Sequence, residues 1–203
     1  MTELEKLEKR WKELVGRPRT KEELEESVLL VEKMNIELSK EYLGLLAELH
    51  DIRIQITDIW NLVNTNRKYP EAIPLLLKYL PMVKHLKNKE GIIRSLTVPE
   101  AKGIAVPLLL KEYYNTPKEK HNLRWVIGNA VNVTITKNNV ADIIPLVLDK
   151  ENGSSRQMFV AALGKIKTEE VKEVLLELIN DEDKIIRDMA EKSLKKVSKG
   201  KAS

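Results

Sequence analysis

An arginine recurs along this chain at a nearly constant interval, and that recurrence restricts the fold more than any other feature. Ile93-Arg94-Ser95-Leu96, Leu123-Arg124-Trp125-Val126, Ser155-Arg156-Gln157-Met158 and Ile186-Arg187-Asp188-Met189 space the four arginines by 30, 32 and 31 residues. A second motif alternates with the first. Ala72-Ile73-Pro74-Leu75-Leu76-Leu77-Lys78, Ala105-Val106-Pro107-Leu108-Leu109-Leu110-Lys111 and Ile143-Ile144-Pro145-Leu146-Val147-Leu148-Asp149 share an apolar-Pro-Leu-apolar-Leu core. Val174-Leu175-Leu176-Glu177-Leu178 occupies the corresponding place without the proline. A period near 31 with two helices per period predicts a solenoid, because a single helix pair cannot bury its apolar face alone and must stack on its neighbours.

Composition agrees with an all-α chain. Aromatic residues make up only 4% and Gly and Pro number eight each, which argues against a β-sandwich or barrel. Cysteine is absent, so disulfides, thiolate zinc sites and a cysteine nucleophile are excluded. The opening MTELEKLEKRWKELVG alternates charged and apolar residues, unlike a signal peptide, and no later stretch is apolar enough to span a bilayer. A cytoplasmic location is therefore expected. The net charge of +4 conceals regional differences: residues 66–124 hold twelve Lys/Arg against five Asp/Glu, whereas 1–65 and 125–191 each sum to −4 and the segment from Lys192 adds five lysines. A basic centre suits an acidic protein partner or a phosphate backbone equally.

The paired motifs resemble the HEAT-repeat family, in particular its short, phycobilisome-lyase-like variety. The resemblance covers residues 70–197 and rests on Pro74, Pro107 and Pro145 within the first helices and on Arg94, Arg124, Arg156 and Arg187 within the second. Ala161-Ala162-Leu163-Gly164-Lys165-Ile166 is similar to the family's usual second-helix ending. The run from Trp60 to Leu80 also resembles a group of small bacterial HEAT-repeat proteins. The family resemblance implies a right-handed α-α superhelix with an N-terminal helical cap, and by analogy an interaction surface on the concave face, where the second helices lie.

Division of the chain follows from the breaks in pattern. Residues 2–15 and roughly 21–49 read as two helices separated by Gly16-Arg17-Pro18-Arg19-Thr20, with Thr20 and Glu23 as a capping box. The expected organisation is a helical cap over 1–50, repeats over 51–197 and a flexible tail over 198–203, around a single continuous core. Arg53, 41 residues before Arg94, would extend the arginine row into a divergent first repeat. Thr57 and Asp58 cap a short helix that ends at Asn64-Thr65-Asn66-Arg67.

No phosphate loop, Gly-x-Ser-x-Gly elbow or His-Glu-x-x-His motif is present, so no catalytic residues, metal ligands or cofactors are assigned. His50, His85 and His121 are 35 and 36 residues apart, too sparse to define a metal site. The arginine row has two readings: bonds to a neighbouring loop that hold repeats in register, or a ladder on the concave face for carboxylates or phosphates, with Arg94 and Arg124 the best placed. Trp60 and Trp125 either pack between repeats or anchor a partner. Asn64 and Asn129 add amides nearby, and Gly153-Ser154-Ser155 reads as a helix cap or an anion site. The expected function is a non-enzymatic protein-binding scaffold or adaptor, with an immunity- or antitoxin-like inhibitor as one form of it. The alternative is a nucleic-acid-binding protein or HEAT-like alkylpurine DNA glycosylase, for which Asp58 beside Trp60 is the one candidate pairing. A tetrapyrrole lyase or chaperone rests on the resemblance alone.

Overall fold

Thr2 and Thr20 each accept the third backbone N–H of the helix they precede, while Glu5 and Glu23 return the bond to the cap residue. These capping boxes start α1 (Glu3–Val15) and α2 (Lys21–Ser39). The computed structural model describes residues 1–198, whose regular structure is entirely helical. Leu7, Leu14 and Leu30 are buried between α1 and α2, with Trp11 and Met34 packed against them.

The single helix expected over about 21–49 is broken. A 3₁₀ turn at Lys40–Tyr42 separates α2 from α3 (Leu43–Asp51), and Tyr42 leaves helical geometry at φ −126°. Leu30 packs within the hairpin, whereas Leu45 and Leu49 pack in the main core, and one straight helix cannot serve both. The buried apolar residues thus form two clusters where a single core was expected: α1 and α2 enclose one, and α3 contributes Leu45 and Leu49 to the other. Polar contacts dock the hairpin. Glu41 accepts the backbone N–H groups of Lys84 and His85 at 2.5 and 3.1 Å, and buried Asn88 donates to Leu38 O at 2.9 Å and Glu41 Oε2 at 2.7 Å.

Beyond α3 the helices alternate. They are α4 (Trp60–Val63), α5 (Ile73–Tyr79), α6 (Leu86–Ser95), α7 (Val106–Asn115), α8 (His121–Thr134), α9 (Val140–Leu148), α10 (Gln157–Leu163), α11 (Glu169–Leu178) and α12 (Lys184–Ser198). On one side α4 meets α6, α6 meets α8, α8 meets α10 and α10 meets α12; on the other, α3 meets α5 and α9 meets α11. The architecture is an all-helical solenoid with a helical hairpin at its N-terminal end. Residues 199–203, most of the expected tail, lie outside the described residues, and Ser198 ends α12.

The recurrent prolines all fall within first helices, but at different depths. Pro74 and Pro107 occupy the first turns of α5 and α7, where a missing N–H costs no intrahelical bond, and only Pro145 is interior. Close helix contact relies on Gly164: a Cβ there would lie 2.6 Å from Ser193 Cβ and 2.9 Å from Ser193 Cα.

Successive repeats are tied by arginines reaching from a second helix into the loops before it and before the next one. Arg156, 2% exposed, donates to Val147 O at 3.1 Å and grips both oxygens of Asp181 at 2.7 and 2.9 Å. Arg124 donates to Thr116 O at 3.5 Å and to Asn152 Oδ1 at 2.5 Å, and Arg187 donates to Asp181 O at 2.6 Å. Surface pairs Lys118–Glu151 and Lys150–Glu182 run parallel to these contacts at 3.3 and 2.5 Å. Arg53 is no part of this series. It follows the end of α3 at φ 66°, outside any helix.

The Arg156 guanidinium holds the Asp181 carboxyl below its ordinary range, chiefly through their hydrogen bonds, against an opposing effect of burial. A carboxylate whose folded pKa is depressed contributes stability that is present above the unfolded value and lost as pH falls through the folded one. We expect the urea midpoint to fall as pH drops below about 4. In Asp181→Asn that fall should be shallower, from a lower starting stability at neutral pH.

Candidate functional site

The same helices that carry the arginines present a continuous outer surface. On α8 the side chains of Asn122, Trp125 and Asn129 are at least partly open, and their spacing of three and four residues puts them on one face. Leu123, Val126, Ile127 and Ala130, on the opposite stripe, are buried. Trp125 is 38% exposed and its indole N–H donates to Gln157 Oε1 on α10 at 3.4 Å. Asn122 Nδ2 donates to Glu90 Oε2 on α6 at 3.4 Å, and the other oxygen of Glu90 takes Arg94 Nε at 2.8 Å.

Two adjoining depressions share His121 and Asn122 as a wall and together make a groove-like surface that touches four second helices. One, of 360 Å³, includes Leu86, Lys87, Glu90 and Lys120; the other, of 540 Å³, includes Trp125, Ser154, Gln157 and Ile185. Leu86 and Ile185 at its two ends are 40% and 45% exposed, so apolar anchors lie at both ends and amides between them. The four charged side chains of the smaller depression, Lys87, Lys120, Glu90 and Glu119, cancel.

The residues singled out from the sequence are divided by the fold. Arg94, Trp125 and Asn129 belong to the second-helix face, and the Asn129 side chain makes no hydrogen bond to another described residue. Arg124 does not reach it: 4% exposed, its guanidinium lies 4.0 Å from the Tyr113 ring centroid, and its Nε has no hydrogen-bond partner among the described residues. Trp60 packs against the main core under Gly91, whose Cβ would meet the indole Nε1 at 3.3 Å. Asp58 caps α4, accepting the Trp60 N–H at 2.8 Å and the Tyr42 hydroxyl at 3.2 Å. Burial and the Asp58 charge raise the Tyr42 pKa well above its ordinary value, which keeps that hydroxyl a donor. Asn64 ends α4 and is exposed. Ser154 and Ser155 are neither helix cap nor open anion site, since they bond to Asp183 at 2.6 Å and to Tyr113 at 2.6 Å. The histidines are dispersed, and among the described residues no three His, Asp or Glu side chains form a group able to hold a metal.

Gln157, Ile185 and Asn122 escaped the sequence reading although their register was visible. Gln157 follows Arg156 as Trp125 follows Arg124, and Ile185 precedes Arg187 by two residues as Asn122 precedes Arg124. Residues 106–202 match the family model for HEAT repeats, which spans α7 to α12. This half of the chain is similar to HEAT repeats. The match supports a HEAT-repeat family, and HEAT repeats are commonly protein-interaction scaffolds. No curated protein and no solved structure matches the chain. Among the described residues no helix is long and apolar enough to cross a membrane.

Arg94 and Arg124 share a motif but not an environment. We expect Arg124→Ala to cost about 3 kcal/mol in urea denaturation, because a buried hydrogen-bonded guanidinium and its stacking are lost together. Arg94→Ala, which removes a partly exposed pair between residues four apart, is expected to cost no more than about 0.5 kcal/mol.

Proposed function

We propose that the chain is a protein-binding module that receives a partner along the second-helix face, with Trp125 as the central anchor and Leu86 and Ile185 as flanking ones. The observation that carries this reading is the surface itself: a partly open tryptophan and two exposed aliphatic side chains in two adjoining depressions that also hold the amides of Asn122 and Gln157. Tryptophan is enriched among residues that dominate binding energy, and exposed aliphatic side chains beside it supply area that water leaves at a gain. Arg94 would serve at the edge, its charge already engaged by Glu90. An adaptor, or an immunity or antitoxin protein that covers an effector's surface, fits this mode of action.

Binding or excision chemistry on nucleic acid is the weaker reading. Both oxygens of Asp58 are occupied in capping α4 and bonding Tyr42, and Trp60 is packed against the core, so the pair is committed to structure. The balanced charges of the groove also differ from the basic stripe that tracks a phosphate backbone. Tetrapyrrole chemistry finds no specific residue in support.

Site-resolved photocrosslinking in the source cells tests the proposal. A photoreactive amino acid at the position of Trp125 or Ile185 should capture the same protein, while one at exposed Leu176 on α11 should not. Equal capture at all three positions, or capture of nuclease-sensitive material at the first two, would contradict it.

A further inference from the structure

The helix α3 ends in a paired-bond turn that normally requires glycine. The N–H of Ile54 donates to Leu49 O at 2.9 Å and that of Arg53 to His50 O at 2.9 Å, which puts residue 53 in the left-handed region at φ 66°. Among the described residues Arg53 is the one non-glycine with a positive φ. An arginine there is strained, and strain of this kind persists where a side chain serves another purpose.

Arg53 lines a pocket of 490 Å³ between the end of α3 and the segment joining α4 to α5. The volume falls within the range of small-molecule sites. Arg67 and Lys68 also line it, so three exposed cationic residues share the lining, and no carboxylate belongs to it. The Arg53 and Arg67 side chains have no hydrogen-bond or ion-pair partner among the described residues, while Lys68 faces Glu100 at 3.7 Å. Neutral donors complete the wall. Asn61 uses its Oδ1 to accept the N–H groups of Thr57 and Asp58, which leaves its NH₂ to donate, and Thr65 accepts the Arg67 N–H through its oxygen, which leaves its hydroxyl hydrogen. Ile54, Ile56 and Leu62 supply an apolar side.

We propose that this pocket binds a small molecule through a phosphate or diphosphate group. Two unpaired guanidinium forks, with the Lys68 ammonium beside them, match a multiply charged, multi-oxygen anion. A singly charged carboxylate has two oxygens and can satisfy only one of the two forks. The ligand's apolar portion rests against Ile54 and Ile56. This site is separate from the groove on the second-helix face, and its occupancy is independent of the partner proposed there.

Arg53→Gly separates binding from folding, because glycine suits the left-handed turn better than arginine does. Thermal midpoints would be measured with sodium pyrophosphate, with inorganic phosphate, and with malonate and sodium chloride at matched ionic strength. Wild type should rise by about 3 °C or more in pyrophosphate, less in phosphate, and no further in malonate than in chloride. Arg53→Gly should melt at or above the wild-type midpoint without ligand and lose most of the pyrophosphate shift. Arg67→Gln, at an exposed position, should lose it as well and guards against an unforeseen folding defect in the first variant. A pyrophosphate shift that survives in both variants, no shift in wild type, or an equal shift in malonate would overturn the proposal.

Discussion

A buried guanidinium bonded to the next repeat's loop is the contact on which the rest of this structure depends. Apolar stacking favours helix pairs lying on one another but is nondirectional, so it leaves their register weakly determined. Arg156 removes that freedom by fixing Val147 O in its own repeat and both oxygens of Asp181 in the following one. A forked ion pair tolerates little displacement, and leaving either partner alone in a dry interior is costly. Arg124 makes the analogous contact with neutral Asn152 and offsets the missing negative charge in part by stacking on Tyr113.

Fixing the register along one edge of the second helices has consequences for the surface beside it. Arg124 and Arg156 turn inward while the residues that follow them, Trp125 and Gln157, stay at least partly open and become neighbours on adjacent helices. Helices on both sides hold the groove, so the binding proposed there would need little prior ordering. At the N-terminal end, where α6 carries Arg94, the device changes. Arg94 pairs with Glu90 on its own helix, and Asn88 instead joins the hairpin to the solenoid through Leu38 and Glu41. The hairpin therefore caps the repeats by polar docking and keeps its own small core.

The solenoid was legible because its signal is redundant: four copies of two motifs at one period outweigh any local ambiguity. The fate of each arginine was less so. Arg94 and Arg124 look alike in sequence, and what separates them is a partner about 28 residues downstream, Asn152 for Arg124, a contact that only the loop geometry reveals. The break at Lys40–Tyr42 was hidden by strong helix formers on both sides, and tertiary demands from two separate cores overrode that propensity. The exposed side of Trp125 was undecidable from its type alone, since a tryptophan next to a buried arginine can face either way. The left-handed Arg53 was invisible, because no sequence rule puts arginine where glycine belongs.

The claim that the arginine contact locks neighbouring repeats is tested most directly by a double-mutant cycle on Arg156→Met and Asp181→Leu, with stability measured by urea denaturation. Each single change should cost about 3–5 kcal/mol by stranding a buried charge, and the double variant should cost far less than their sum, a coupling of at least about 2 kcal/mol. Costs that add to within about 0.5 kcal/mol would show that the two residues contribute independently, and that the register of the solenoid is set by something else.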